Sequence, residues 1–243
     1  MEGMEAAAQH IGRGVMVYTS KAHSFGTDAL LLADFAAPRP REQACDLGTG
    51  CGIIPLYWLA RGGPERVWGM DVQPRAVEQF TAGIRASGGE GRLLPLLGDL
   101  RALPPELPRG RLELVTCNPP YQRGTGLLPQ DPAAEIARHE RLCTLEEVCH
   151  AAALLLKFGG RFCLCQRPER LADAVCAMRG VGLEPKVLRM VSKEQGDTPW
   201  LFLLEGKKGG KPDLRVLPPL AVYQEGSWSP DLQRIYSILA HKG

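Results

Sequence analysis

Short apolar blocks alternate along this chain with longer stretches of helical periodicity. The blocks at 44–47, 66–70, 93–97, 112–117 and 161–166 read as buried strands. Between them, 29–35, the residues from Ile53 onward, 76–80, 145–156 and 171–178 carry apolar residues at helical spacing. Thr27 or Asp28 is a suitable N-cap for 29–35, Pro74 stands near the start of a helix where a missing N–H costs little, and 158–160 is a glycine stop. Segments 185–191 and 200–204 read as the last strands, an antiparallel edge pair. Residues 206–220 read as a flexible link with an extended segment, and 230–239 as a helix in a tail that folds back beside the loop after residue 117. The pattern predicts an α/β fold: seven strands in a mostly parallel sheet, helices on both faces and an antiparallel last strand. One domain over 1–243 is expected, divided into an N-terminal segment 1–43, a core 44–205 and a tail 206–243.

The first core strand ends in Asp46-Leu47-Gly48-Thr49-Gly50-Cys51-Gly52. Glycines at 48, 50 and 52 let backbone amides approach a ligand closely. The spacing is G-x-G-x-G, whereas the dinucleotide fingerprint is G-x-G-x-x-G. Asp46 would repel a phosphate but suits a ligand carrying an ammonium and a sulfonium, which favours S-adenosylmethionine over NAD. A structural glycine turn in another α/β fold would show the same residues. The next strand ends in Asp71-Val72, roughly 20 residues past the glycines, where a carboxylate can take both ribose hydroxyls. The third leads into Asp99-Leu100, and Asp99 is placed to accept from an adenine amine. In isolation it would serve equally as a cap or surface charge.

Asn118-Pro119-Pro120-Tyr121 follows the apolar run 112–117. The Asn118 amide oxygen and the Pro119 carbonyl can each accept one proton from a planar NH2 group. Such an amine is a poor nucleophile because its lone pair is delocalised, and two acceptors that favour pyramidalisation release that pair. Tyr121 offers a ring face for stacking. A strand end followed by a diproline turn is the local alternative. The glycine- and proline-rich loop 122–132 lies directly after, where loops at strand C-termini form binding crevices, and Arg123 and Arg138 are the candidate phosphate contacts.

In this order the four signals over 44–121 resemble the class I S-adenosylmethionine-dependent methyltransferases, and the Asn-Pro-Pro-Tyr form is similar to that of enzymes acting on exocyclic or amide nitrogens. Ser24-Phe25-Gly26-Thr27-Asp28-Ala29-Leu30-Leu31 and Ala137-Arg138-His139-Glu140 resemble segments of the bacterial tRNA1(Val) adenine-37 N6-methyltransferase family. The stretch Tyr18 to His23 departs from that family's short aromatic hairpin, and Gln122 stands where another aromatic or small apolar residue is common. The resemblance implies a Rossmann-like class I methyltransferase fold, S-adenosylmethionine as cofactor and direct transfer of its methyl to an adenine N6 in tRNA. It implies Asn118, Pro119, Pro120 and Tyr121 as catalytic residues. Asp46, Gly48, Gly50, Gly52, Asp71, Val72, Asp99, Leu100 and Asn118 would hold the cofactor, with Arg123 and Arg138 toward the substrate. Alternative acceptors are a protein glutamine amide and a guanine N2 of RNA. The former family carries a helical N-terminal domain, for which the 27 residues before Asp28 leave no room. A catalytically silent, partner-binding methyltransferase-like subunit is the non-enzymatic alternative.

Composition narrows this picture little. A net charge of +2 over 243 residues means that any nucleic-acid contact must come from a local patch. Candidate patches are Arg138, Arg141, Lys157 and Arg161 around the catalytic side, and Lys207, Lys208 and Lys211 near the end. The eight cysteines lack paired zinc spacing, so no metal is expected, and Cys163 and Cys165 are expected on opposite faces of their strand. With neither a signal peptide nor a long apolar run, the sequence reads as a cytoplasmic protein with reduced thiols and no membrane contact. A homodimer or an activating subunit is compatible with all of this.

Overall fold

A computed structural model describes residues 7–20, 24–119 and 143–240. Pro120, Tyr121, Arg123 and Arg138, with the rest of 120–142, lie outside the described residues. The chain opens with an antiparallel hairpin, β1 (Ala7–His10) and β2 (Met16–Thr19), whose turn runs through Gly12, Arg13 and Gly14, all at positive φ. α1 (Thr27–Ala36) follows. Its N-cap is Gly26 without a side-chain cap bond, which corrects the expectation of Thr27 or Asp28. Both fall inside the first turn, and the Asp28 carboxylate is used elsewhere.

The alternating pattern then becomes β3 (Gln43–Leu47), α2 (Ile53–Ala60), β4 (Arg66–Asp71), α3 (Pro74–Ala86), β5 (Leu93–Leu97) and β6 (Leu112–Cys117). After the loop come α4 (Leu145–Leu155), β7 (Leu156–Gln166), α5 (Leu171–Gly180), β8 (Leu183–Glu194) and β9 (Leu201–Lys208). α4 is anchored by a capping box: Thr144 accepts from the Glu147 N–H while Glu147 accepts from the Thr144 N–H, an arrangement that contributes about 1 kcal/mol. β7 begins directly at the helix end and absorbs Gly159 and Gly160, so these glycines bend a strand and do not stop a helix. β10 (Arg215–Val216), β11 (Leu220–Gln224), β12 (Ser227–Trp228) and α6 (Pro230–Ala240) complete the chain.

Among the described residues, ten strands form one sheet in the order β12-β11-β8-β9-β7-β6-β3-β4-β5, with β10 alongside β8. From β5 to β7 the pairing is parallel throughout. The last of the seven expected strands, β9, is antiparallel to both β7 and β8. It lies inside the sheet, which corrects its assignment to an edge pair. The helix expected at 230–239 is present as α6, but the flexible link expected before it is not. Residues 206–220 complete β9, pair β10 with β8 and enter β11, because Leu220, Val222, Leu232 and Ile235 are buried and need a sheet face to cover them.

Two buried clusters sandwich the sheet, giving three layers. α1, α2, α3 and α6 contribute to one and α4 and α5 to the other. Cys163 and Cys165 both belong to the first cluster. Strand residues two apart share a face, which corrects their expected opposition. All parallel strands point their C-terminal ends to one edge, and the loops after β3, β4, β5 and β6 meet there. No helix among the described residues is long and apolar enough to cross a membrane.

Candidate active site at the C-terminal edge of the sheet

The glycine turn after β3 is held by the end of β4. The Gly48 and Thr49 N–H groups donate to the Met70 carbonyl at 2.8 and 2.9 Å. Gly50 N–H donates to Asp71 Oδ2 at 2.9 Å, and the other carboxylate oxygen accepts from Gln73 N–H at the same distance. Asp71 is therefore fixed from two sides, with lone pairs left on both oxygens for further donors. Gly48, Gly50 and Gly52 all have positive φ. A Cβ at Gly48 or Gly50 would meet no heavy atom within 4 Å, so these two border open space. At Gly52 it would fall inside the Phe80 ring. The glycines thus serve in two ways, two leaving the backbone open and one letting α3 pack against the start of α2.

Asp46 sits one strand over, 1 % exposed. The β3–β6 register sets it opposite Thr116, whose Oγ1 donates to Asp46 Oδ1 at 2.7 Å. Burial pushes the Asp46 carboxyl up to about 7. The Thr116 and Thr49 hydroxyls work against that shift, although Thr49 Oγ1 makes no hydrogen bond of standard geometry, and the Asp71 charge adds to it. A carboxyl poised this way gains from a cation placed beside it. Val72, 45 % exposed, presents an apolar side chain on the rim next to Asp71, and Leu100 packs partly against the second cluster. Asp99 lies after β5 in a fork with Arg101, whose Nε and terminal nitrogen hold both carboxylate oxygens at 2.6–3.0 Å. That guanidinium holds the Asp99 carboxyl below the usual range.

Asn118 extends from β6, and Pro119 beside it is buried. The Asn118 Nδ2 donates to Asp28 Oδ2 at 3.0 Å, and Cys165 Sγ donates to Asn118 Oδ1 at 3.0 Å. A carboxylate only accepts, so the amide face toward Asp28 must be the NH2 and the opposite face the carbonyl oxygen. The structure thus brings Asp46, the glycine turn, Asp71, Val72, Asp99, Leu100, Asn118 and Pro119 to one edge. Sequence reasoning missed Thr116 and Cys165, and assigned Asp28 to a cap. Their signal is register, which joins residues 47 to 90 apart in the chain and leaves no local motif.

Among the described residues no group of His, Cys, Asp and Glu is arranged to hold a metal ion. Lys157 and Arg161, expected on the catalytic side, lie at the opposite edge. Lys157 pairs with Glu113 at the start of β6, and Arg161 pairs with Glu42 and Glu205 below β3. Lys208 donates to the Ala153 and Leu156 carbonyls and closes the end of α4.

These residues suit an S-adenosylmethionine-like ligand: open backbone at Gly48 and Gly50, a buried carboxyl that a cation would ionise, and a second carboxylate fixed at the next strand end. Comparisons with known proteins agree with the architecture. A predicted O-methyltransferase from Agrobacterium tumefaciens superposes with a TM-score of 0.68 at 20% identity, covering 88% of this chain and 98% of that one. A tRNA m1G37 methyltransferase of M. jannaschii superposes at 0.54 with 15% identity, covering 86% of this chain and 56% of that one. At these identities the likeness is one of fold. In sequence, the chain is 32% identical over 161 residues to a tRNA1(Val) (adenine(37)-N6)-methyltransferase of Porphyromonas gingivalis, a match spanning 64% of this chain and 63% of the relative. It is 28% identical over 180 residues to the protein of that name from Tolumonas auensis, covering 74% of each. The Methyltransferase small domain family matches residues 12–170, from the hairpin turn and β2 through the glycine turn and the Asn118 strand end to β7, and the chain belongs to that family.

Proposed function

We propose that this protein transfers a methyl group from S-adenosylmethionine to the exocyclic N6 of an adenine in tRNA, at position 37 of tRNA1(Val) by its likeness to the relatives of that name. The observation that carries the reading is the fixed Asn118 amide. It stands at the strand end beside the glycine turn, with its NH2 turned to Asp28 and its oxygen directed away. The residues that would hold the cofactor are Asp46, Gly48, Gly50, Gly52, Asp71, Val72, Asp99, Leu100 and Asn118, and its contribution when bound is an electrophilic sulfonium methyl.

The protein's own part is positioning. Asn118 Oδ1 and the Pro119 carbonyl accept the two amine protons and bring the nitrogen lone pair out of conjugation. The S–H of Cys165, a weak donor, gives up Oδ1 to the stronger amine donor. Near-attack geometry of this kind supplies several kcal/mol, of order 7 in well-oriented systems. A strong base is unnecessary, since the proton leaves from a nitrogen already made cationic. Tyr121 would stack on the base, and Arg123 and Arg138 would meet phosphates. An adenine in an anticodon loop is already unpaired, which removes most of the cost of extruding it.

The test is transfer of labelled methyl to unmodified total tRNA, with release factor protein as competing acceptor and nucleoside analysis of the product. N6-methyladenosine is the expected result. Label in protein or in N2-methylguanosine would replace the acceptor with a glutamine amide or guanine. Label in neither would point to a partner-binding subunit.

A further inference from the structure

We infer that Asp28 is the positioning residue for the Asn118 amide. The inference rests on the reading of Asn118 as the amine acceptor and assigns the group that makes it one. An asparagine side chain has nearly symmetric ends, and turning it over exchanges an acceptor for a donor. If Asn118 presented its NH2 to the substrate amine, two donors would face each other and the nitrogen lone pair would gain nothing. Two contacts show what prevents this. Asp28 Oδ2 lies 3.0 Å from Nδ2. A carboxylate in that place can only accept, so the flipped amide would set oxygen against oxygen. On the other side, Cys165 Sγ lies 3.0 Å from Oδ1. A thiol can donate or weakly accept, so it tolerates either orientation and cannot select one. Of these two contacts, the one that selects an orientation is Asp28.

The fold explains how a residue 90 positions away holds this place. α1 is pinned along its length. Ala29, Leu30, Leu31, Leu32, Ala33 and Ala36 are buried in the first cluster. Trp58 Nε1 donates to the Ala33 carbonyl at 2.9 Å. Asp34 pairs with Arg61, the C-cap of α2, and with Arg234 of α6. At the other end, Thr27 Oγ1 and the Tyr236 hydroxyl of α6 are 3.3 Å apart. Asp28 thus projects from a helix whose register two other helices fix. Gly26 leaves the helix start without a side-chain cap bond. The tail helix acquires a role in the same account, since it steadies the α1 end that carries Asp28.

The substitutions to compare are Asp28→Asn and Asp28→Ala, each alone and with Asn118→Ala, assayed by methyl transfer to unmodified tRNA. Asp28→Asn keeps the size and a hydrogen bond but accepts either amide orientation, so kcat is expected to fall about two- to fivefold. Asp28→Ala also frees the rotamer, and a drop of roughly 10- to 100-fold is expected from misplacement. In both, cofactor affinity measured by calorimetry and the melting temperature stay near wild type. In the Asn118→Ala background, adding Asp28→Ala is expected to change the residual rate less than twofold, because residues acting as one unit are not additive. Wild-type kcat in Asp28→Ala, multiplying effects in the double variant, or a loss explained wholly by cofactor affinity would each overturn the assignment. Full transfer by Asn118→Ala alone would instead remove the functional reading on which it stands.

Discussion

Asn118 Nδ2 and Asp28 Oδ2 stand 3.0 Å apart, joining the end of β6 to the first turn of α1. The contact makes the two conservative replacements of Asn118 unequal. Asn118→Ala removes the amine acceptor, and kcat is expected to fall about 10²- to 10³-fold with the fold intact, the range seen when one preorganised polar group is deleted. Asn118→Asp sets a second carboxylate against Asp28, and like charges at that distance force one of them to hold a proton. Its melting temperature at pH 8 is therefore expected below that of Asn118→Ala, with the gap closing toward pH 5. Equal melting temperatures at pH 8 would mean that the carboxylate does not face this side chain.

The parallel core was legible because each strand is a short apolar block and each following loop carries a candidate site residue. Asp46, Gly48, Asp71, Asp99 and Asn118 are strand-end residues, and strand ends are visible in periodicity. What escaped is whatever register or packing decides. The hairpin of β1 and β2 is short and half exposed, and its turn places Arg13 at φ 47, where the flanking Gly12 and Gly14 were the only signal. β9 looked like an edge because sequence order does not show that it inserts between β7 and β8. Thr116 reads as one more β-branched strand residue until pairing sets it against Asp46. Two residues of the expected lysine and arginine patch, Lys157 and Arg161, were misplaced for a related reason. Lys157 lies near the start of β7 and Arg161 midway along it, whereas the candidate site lies where the parallel strands finish.

Gly52→Ala is expected to be far more damaging than Gly50→Ala. Both residues have positive φ, a strain of about 1 kcal/mol or more for alanine. At Gly50 a methyl meets open space, whereas at Gly52 it enters the Phe80 ring, which is fully buried between α3 and β4. Overpacking of this kind costs typically 1–3 kcal/mol beyond the backbone strain. Chemical denaturation of both variants measures the difference. Recovery of stability when Gly52→Ala is combined with Phe80→Leu would place the cost on the ring, and no recovery would place it on the backbone.

Asp71→Ala is expected to weaken cofactor binding and also to loosen the glycine turn. The sequence alone points this carboxylate to the ribose hydroxyls. Because Gly50 N–H and Gln73 N–H both donate to it, its removal leaves two backbone donors to find water, a loss of about 1–3 kcal/mol. Faster hydrogen exchange at Gly50 and Gln73 in the ligand-free variant is the measurement. Exchange unchanged at both amides would return Asp71 to a purely ligand-binding role.

Asp46 carries a trade between stability and binding. Its carboxyl titrates at about 7 in the folded protein against an ordinary value near 3.8, so between those values the folded state binds more protons than the unfolded one. Stability therefore falls as pH rises through this window and stays low above it, the reverse of a salt-bridged carboxylate. At about 1.4 kcal/mol per pKa unit, the ionised form costs on the order of 4 kcal/mol. Asp46→Asn abolishes that cost while its amide oxygen can still accept from Thr116. The variant is expected to melt several degrees above wild type at pH 8 and level with it near pH 4. Its affinity for S-adenosylmethionine is expected to fall at least tenfold at pH 8, because the neutral amide no longer attracts the ligand's positive charge. In the wild type, affinity should decline as pH drops below 7, where binding a cation must first displace a proton. A variant less stable than wild type at pH 8, or one that binds the cofactor equally well, would show that the buried carboxyl serves packing and not charge.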